Sequence, residues 1–267
     1  LEGKGESREK SLALFAQEMA EYAQQVKAGQ TMKSKNRELK PPYVKKPADL
    51  GNQYPANIFN AMIYPIRPYG IKGAIWYQGE RNAKTVPQAL AYGEQLKRLI
   101  GYYRSSWHEL SGGNVPADFP FFFTQLPSWE APQTQPVEGI EATWAVSREA
   151  MRLVAMETPH TGMAVGIDCG DPVALHPKNK KPIGIRHAYL ALKEAYGKDI
   201  VPCGPRYLGQ KIDGGRIALE FDCIGGGMVS AKPGKLDAFA IAGADQKCHW
   251  AEAEIAGDRK STRLNSS

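Results

Sequence analysis

A histidine after a strand end, carboxylates within reach of it in the same loop, and amide donors on a neighbouring turn are parts with which proteins carry out nucleophilic acyl transfer. This sequence holds all three in two polar clusters, Gln78-Gly-Glu-Arg-Asn82 and Asp168-Cys-Gly-Asp-Pro-Val-Ala-Leu-His-Pro177. His176 is the best base candidate, standing before Pro177, where helical continuation is disfavoured. Asp171 is favoured over Asp168 as the acid that orients the imidazole, because Pro172 restricts the loop to an extended or turn path that can curl back. Asp168 is expected to close its strand, held by backbone N–H groups, and the nearer positions Val173 and Ala174 cannot serve. Gln78 and Asn82 offer side-chain amides, and Gly79 offers a backbone N–H with no Cβ in the way, all suited to an oxyanion. Glu80 could be a general acid, but one carboxylate is not a glycosidase pair, and holding the loop and the nucleophile's backbone is the preferred reading. His108, His160, His187 and His249 lack such company and are read as structural.

The elements that position these clusters follow from periodicity. Leu12, Phe15, Met19, Tyr22 and Val26 recur at spacings of three and four, which predicts an amphipathic helix over 9–28 ended by Gly29. Residues 30–55 read as a polar, basic linker or surface loop. From 58 the texture alternates: an apolar stretch at 58–66, strands at 70–77, 119–126 and 162–168, and helices at 87–109, 141–157 and 179–196. Such alternation predicts a parallel sheet covered on both faces, with ligands at the C-terminal edge of its strands, where both clusters fall. Beyond about 200, short alternating segments at 216–222 and 238–241, with Gly214-Gly215 and Gly225-Gly226-Gly227 between, read as an all-β module.

Composition narrows the classes. A chain of 267 residues, 42% hydrophobic, can bury a sizeable core, so intrinsic disorder is excluded, and no window has the ~18 apolar residues of a membrane span. The net charge of +6 is local: Lys33, Lys35, Arg37, Lys40, Lys45 and Lys46 against Glu38 put +5 between 32 and 46. Tyr43 is the one aromatic in that run, so no nucleic-acid partner is expected. No two of the four cysteines, Cys169, Cys203, Cys223 and Cys248, lie closer than 20 positions, which excludes a zinc knuckle or CxxC motif built from adjacent ligands. An oxidising compartment would allow one disulfide between Cys223 and Cys248, but four cysteines permit three full pairings and the spacing does not choose.

The string Gly70-Ile-Lys-Gly-Ala-Ile-Trp-Tyr-Gln-Gly-Glu-Arg-Asn82 resembles the sialic-acid-specific acetylesterase family, carbohydrate O-acetylesterases of the SGNH hydrolase group. Asn60-Ala-Met-Ile-Tyr-Pro-Ile-Arg-Pro-Tyr69 resembles its lead-in helix and loop, Phe119-Pro-Phe-Phe-Phe-Thr-Gln-Leu126 its next core strand, and Ile167–Asp171 with His176–Lys180 its histidine block. The resemblance covers about 54–257. It implies an α/β, flavodoxin-like three-layer parallel sheet followed by a truncated β module, and removal of O-acetyl groups from carbohydrate without metal or cofactor. It further implies a secreted or periplasmic location, and His176, Asp171, Gln78 and Gly79 in catalysis with Glu80 and Asn82 at the substrate. The chain is thereby divided into a helix and basic linker (1–53), a hydrolase core lacking its nucleophile strand (54–200), a partial β module (201–257) and a foreign tail (258–267). That last decapeptide resembles a translated sequencing adapter and is set aside from fold reasoning; without it the charge falls to +4.

The family's Gly-Gln-Ser-Asn-type nucleophile turn is missing. Gly5-Glu-Ser7 imitates it, but only four residues precede it and no strand presents the serine; no Gly-x-Ser-x-Gly elbow occurs elsewhere. No serine is assigned, and the chain is expected to begin after the nucleophile strand and to be inactive alone. Two other readings stay open: a glycoside hydrolase using Glu80 and Asp171, and a non-catalytic carbohydrate-binding module using Trp129 and Trp144. The oligomeric state is not legible.

Overall fold

The computed structural model describes residues 8–28, 56–136, 142–230, 236–256 and 261–265. Two compact units divide the chain, Leu1–Tyr69 and Gly70–Ser267. In the first, the predicted helix is α1 (Arg8–Lys27). Met19 and Tyr22 of its stripe are half-buried. The side chains of Leu12, Phe15 and Val26 lie outside the described residues, as do Gly29, the Gly5–Ser7 imitation and the basic segment with Tyr43. The apolar stretch near 58 winds into a wide helical turn, Phe59–Ile63, and a tighter one, Tyr64–Ile66. Arg67 closes it: its guanidinium carbon sits 3.9 Å from the Tyr64 ring centroid, and its Nε donates to the Tyr64 carbonyl at 3.3 Å.

In the second unit a parallel sheet of β1 (Ala74–Trp76), β2 (Phe121–Thr124) and β3 (Thr161–Ala164) runs in the order β1-β2-β3. Ala74 pairs with Phe121 and Phe121 with Thr161, so all three C-terminal ends meet one rim. β2 is buried at every position. Phe121 stacks edge-on against Tyr103 of α2 (Val86–Leu110). Phe122 faces the other way, into a cluster with Ala164 and Leu190 of α4 (Lys181–Glu194). Helices therefore cover opposite faces of β2, which is why it reads as an unbroken apolar run. Burying each such phenylalanine contributes about 1.5–3 kcal/mol.

The helices start where local chemistry directs. Thr85 caps α2, its hydroxyl accepting from the Gln88 N–H, and Pro87 occupies the first turn, where a missing N–H costs nothing. Tyr92, Leu96, Ile100 and Trp107 form its buried stripe, beside α3 (Thr143–Glu157). Buried Arg104 donates to the carbonyls of Phe119, Pro159 and His160, tying together the backbone that leads into β2 and β3. The strands are shorter than their sequence patterns because both ends turn into ordered loops.

The remaining strands are β4 (Arg206–Asp213), β5 (Arg216–Asp222), β6 (Ala240–Ala242), β7 (Cys248–Trp250), β8 (Glu252–Ile255) and β9 (Ser261–Asn265). An antiparallel sheet runs β4-β5-β9-β8, and β6 pairs with β7. β9 lies in the segment that the sequence reading set aside from the fold. Its backbone bridges β5 and β8, since ladder hydrogen bonding uses groups that every residue but proline carries.

His187, on α4, is 5% exposed, with Nε2 2.8 Å from the Thr124 hydroxyl and Nδ1 unpartnered. Burial pushes its pKa from 6.5 down to about 4. The unfolded chain therefore binds the proton first as pH falls. Stability is expected to decline between about pH 6.5 and about pH 4, and thermal melts across that window should show a shallower decline in His187→Gln than in the parent.

Candidate active site

Gly79, directly after Gln78, takes φ +154°, and a Cβ there would press to 3.3 Å of both Leu126 and Tyr92. That bend lets the chain leave β1 and wind into the short turn Glu80–Asn82. Buried Tyr92 organises the turn: its hydroxyl accepts from Trp76 Nε1 at 3.2 Å and faces two Gln78 acceptors, the backbone oxygen at 2.8 Å and Oε1 at 3.0 Å. Burial pushes the phenol up to about 12, so it is the protonated donor at neutral pH. With Oε1 toward Tyr92, the Gln78 amide is oriented; Nε2 donates to Asn82 Oδ1 at 3.1 Å and keeps one further N–H. Asn82 in turn donates to Gln95 Oε1 at 3.1 Å. The Gly79 N–H donates to Glu80 Oε2 at 3.1 Å.

On the same rim, Gln125 Oε1, just past β2, accepts from the Gly166 N–H at 3.3 Å. A Cβ on Gly170 would lie 1.9 Å from the Ser128 carbonyl oxygen, a closeness only glycine permits. Asp171 then pairs backbone-to-backbone with Trp129. Its Oδ1 accepts from the Val173 and Ala174 N–H groups, each at 2.8 Å, and these bonds, Ala174 first, hold the carboxyl below the usual carboxylate range. His176 is exposed, and no hydrogen bond joins it to Asp171 among the described residues. Four residues on, Lys180 donates to the Tyr77 hydroxyl at 3.1 Å, with Nζ 4.6 Å from the ring centroid. The histidine loop is thus tied to the residue that precedes Gln78.

Asp168 corrects its expected placement. It lies in a short helical turn, Ile167–Cys169, past the end of β3. Arg186 of α4 grips both its oxygens at 2.6 Å and holds the carboxyl below its ordinary range, while also donating to the Val165 carbonyl. A guanidinium matches a carboxylate edge to edge and outcompetes single backbone amides. Tyr92, Lys180 and Arg186 were not singled out by sequence, since each is an ordinary helix or loop residue until packing brings it to the rim.

Beside the site, β1 pairs only with β2 among the described residues, and Ile75 at its centre is 62% exposed. A groove of about 430 Å³ lies along this face, lined by Ile75, Tyr77, Ile183, His187 and Ala191 among others. Trp129, 41% exposed, leans on Trp144 with ring centroids 5.7 Å apart. No helix among the described residues is long and apolar enough to cross a membrane.

No family model matches the chain. It is 32% identical to the sialate O-acetylesterase of Mus musculus over 174 residues, which cover 62% of this chain and 31% of that protein. Against the sialate O-acetylesterase of Homo sapiens the identity is 30% over 161 residues, 58% of this chain and 30% of the relative. The chain thus spans less than a third of the length of the curated relatives it matches. Among solved structures, a carbohydrate acetylesterase from Xanthomonas citri superposes with a TM-score of 0.67 at 35% identity, covering 81% of this chain and 47% of that one.

If the Tyr92 hydroxyl fixes the Gln78 turn, Tyr92→Phe leaves Trp76 Nε1 and the Gln78 acceptors without it. The expected loss is about 1–3 kcal/mol, read as a lower denaturant midpoint at unchanged m-value.

Proposed function

We propose that this chain belongs to the sialic-acid-specific acetylesterase family and forms part of a carbohydrate esterase of flavodoxin-like SGNH fold that removes O-acetyl groups from sugars, a reading supported by the relatives it resembles. The observation that carries the reading is the shared rim: an in-register parallel sheet delivers the Gln78 turn and the Asp171–His176 loop to one edge, and the Lys180–Tyr77 contact ties them together.

The mechanism follows from what each group can donate or accept. A serine attacks the acetyl carbonyl while His176 takes its proton, and the tetrahedral oxyanion is met by the free N–H of Gln78 Nε2. Collapse breaks the bond to the sugar oxygen, which receives that proton from His176, and a water deprotonated by His176 then cleaves the acyl-serine to release acetate. Asp171 keeps His176 in the productive tautomer; its Oδ1 is committed to two backbone amides, which leaves Oδ2 for the imidazole, whereas both oxygens of Asp168 are held by Arg186. Glu80 and Asn82 hold the turn from either end, and their neighbouring edges face the sugar. The nucleophilic serine would come from a strand paired along the outer edge of β1, which has β2 as its one partner among the described residues. Trp129 offers an indole face to the pyranose. No metal or cofactor is required, and the location is secreted or periplasmic.

The test compares this chain with a longer one that adds an upstream strand, on an aryl acetate and on an O-acetylated sugar. Acetate release by the longer chain alone, with no glycosidic cleavage, is the expected result; equal activity in both, or cleavage between sugars, contradicts the reading. In the active form Gln78→Ala should lower kcat by about 10²–10³ with KM within a few-fold, because the donor acts mainly on developing charge. Asp171→Asn should fall with His176→Ala, and Asp168→Asn should instead reduce stability. An effect of Gln78→Ala confined to KM would make it a sugar-binding residue.

A further inference from the structure

Cys203 and Cys223 are twenty residues apart, and the β4–β5 hairpin brings them together. The antiparallel register ends with Arg206 opposite Asp222, and Arg206 grips that carboxylate with Nε at 2.9 Å and Nη2 at 2.5 Å. Cys223 is the next residue after Asp222; Cys203 lies three before Arg206, with a bend at Cys203–Gly204. Continuing the ladder outward from that pair brings Cys203 opposite Gly225, two residues from Cys223, at the open end of the hairpin. A second approach agrees: a Cβ on Gly225 would lie 3.8 Å from the Val201 side chain, so the two flanking segments run side by side. Cys223 itself takes φ +52°, turning the chain back at this point. Both thiols are free and half-buried, and the Cys223 sulfur lies close enough to Cys203 to act on its thiol. Cys248 belongs to β7, in the other antiparallel sheet.

We propose that Cys203 and Cys223 form a disulfide that closes the base of the β4–β5 hairpin, in place of the Cys223–Cys248 pair that the sequence left open. The chemistry is thiol–disulfide exchange with a low-molecular-weight disulfide. The Cys223 thiolate attacks one sulfur of that disulfide, forming a mixed disulfide and expelling one thiolate. Cys203 then gives its proton to water and attacks the Cys223 sulfur; the new S–S bond forms and the second small thiolate leaves. Two protein thiols are oxidised and one disulfide is reduced to two thiols.

The order of attack has a physical basis. Burial, reinforced by the neighbouring Cys223 sulfur, pushes the Cys203 thiol up to about 12. It is a poor first nucleophile at neutral pH, and it acts second, on a sulfur already beside it. Closing this loop removes freedom from the unfolded chain, and the chain-entropy relation for a loop of this size corresponds to a rise in melting temperature of about 5–10 °C.

The experiment uses the folded 267-residue chain incubated with oxidised glutathione at pH 8, then alkylated and digested without reduction. The expected product has lost two hydrogens, retains two alkylatable thiols, and yields a single cross-linked peptide pair joining Cys203 to Cys223. Its melting temperature exceeds that of the reduced chain, and Cys203→Ser and Cys223→Ser each abolish both the cross-link and the gain. A cross-link joining Cys223 to Cys248, or stable glutathione adducts on Cys203 and Cys223 without closure, overturns the proposal. The peptide map of the parent chain decides the pairing even where a serine variant folds poorly.

Discussion

Phe121 to Thr124 can be buried on both faces of a strand only if helices close over it from either side, and the rest of the rim depends on that constraint. Phe121 meets Tyr103 of α2, and Phe122 meets Leu190 of α4. With β2 fixed between them, the parallel ladders set β1 and β3 in register, and their C-terminal ends have to lie together. Arg104 reinforces the opposite end by donating to the carbonyls of Phe119, Pro159 and His160. The site is built on rigid strand ends, while the loops that carry polar side chains are held by specific contacts.

Those contacts divide the labour among residues that touch no substrate. Tyr92 orients Gln78, Asn82 takes the same amide from its other side, and Lys180 brings the histidine loop toward β1. Arg186 neutralises Asp168, so one of the two aspartates near His176 is spent on structure. Preorganised donors of this kind are favourable for catalysis because their orientation is fixed before charge develops.

The helices were legible because their apolar spacing and caps are local: α2, α3 and α4 fall within two residues of the segments read from sequence. β5 was legible for the same reason, its pattern being bounded by Gly214-Gly215. β4 was missed, since Arg206-Tyr-Leu-Gly-Gln-Lys-Ile-Asp213 is mostly exposed and interrupted by a glycine, leaving little alternation to read. The positions of Gln78 and His176 on one rim could be read from strand ends. Tyr92, Arg186 and the Lys180–Tyr77 contact could not, because they join residues 14, 18 and 103 positions apart and exist only once the helices pack. The pairing of Cys203 with Cys223 was hidden for the same reason: it depends on the register of a hairpin whose first strand carries almost no signal.

The central claim is that the Gln78 turn and the His176 loop act on one carbonyl. The most direct measurement is a crystal structure of the longer, active chain after covalent reaction with an aryl acetyl-mimicking phosphonate. The expected result is a phosphonyl oxygen within about 3.2 Å of Gln78 Nε2, a normal N–H···O contact, with the His176 ring against the modified serine oxygen. A phosphonyl oxygen directed away from Gln78, with His176 remote from the modified residue, would contradict it.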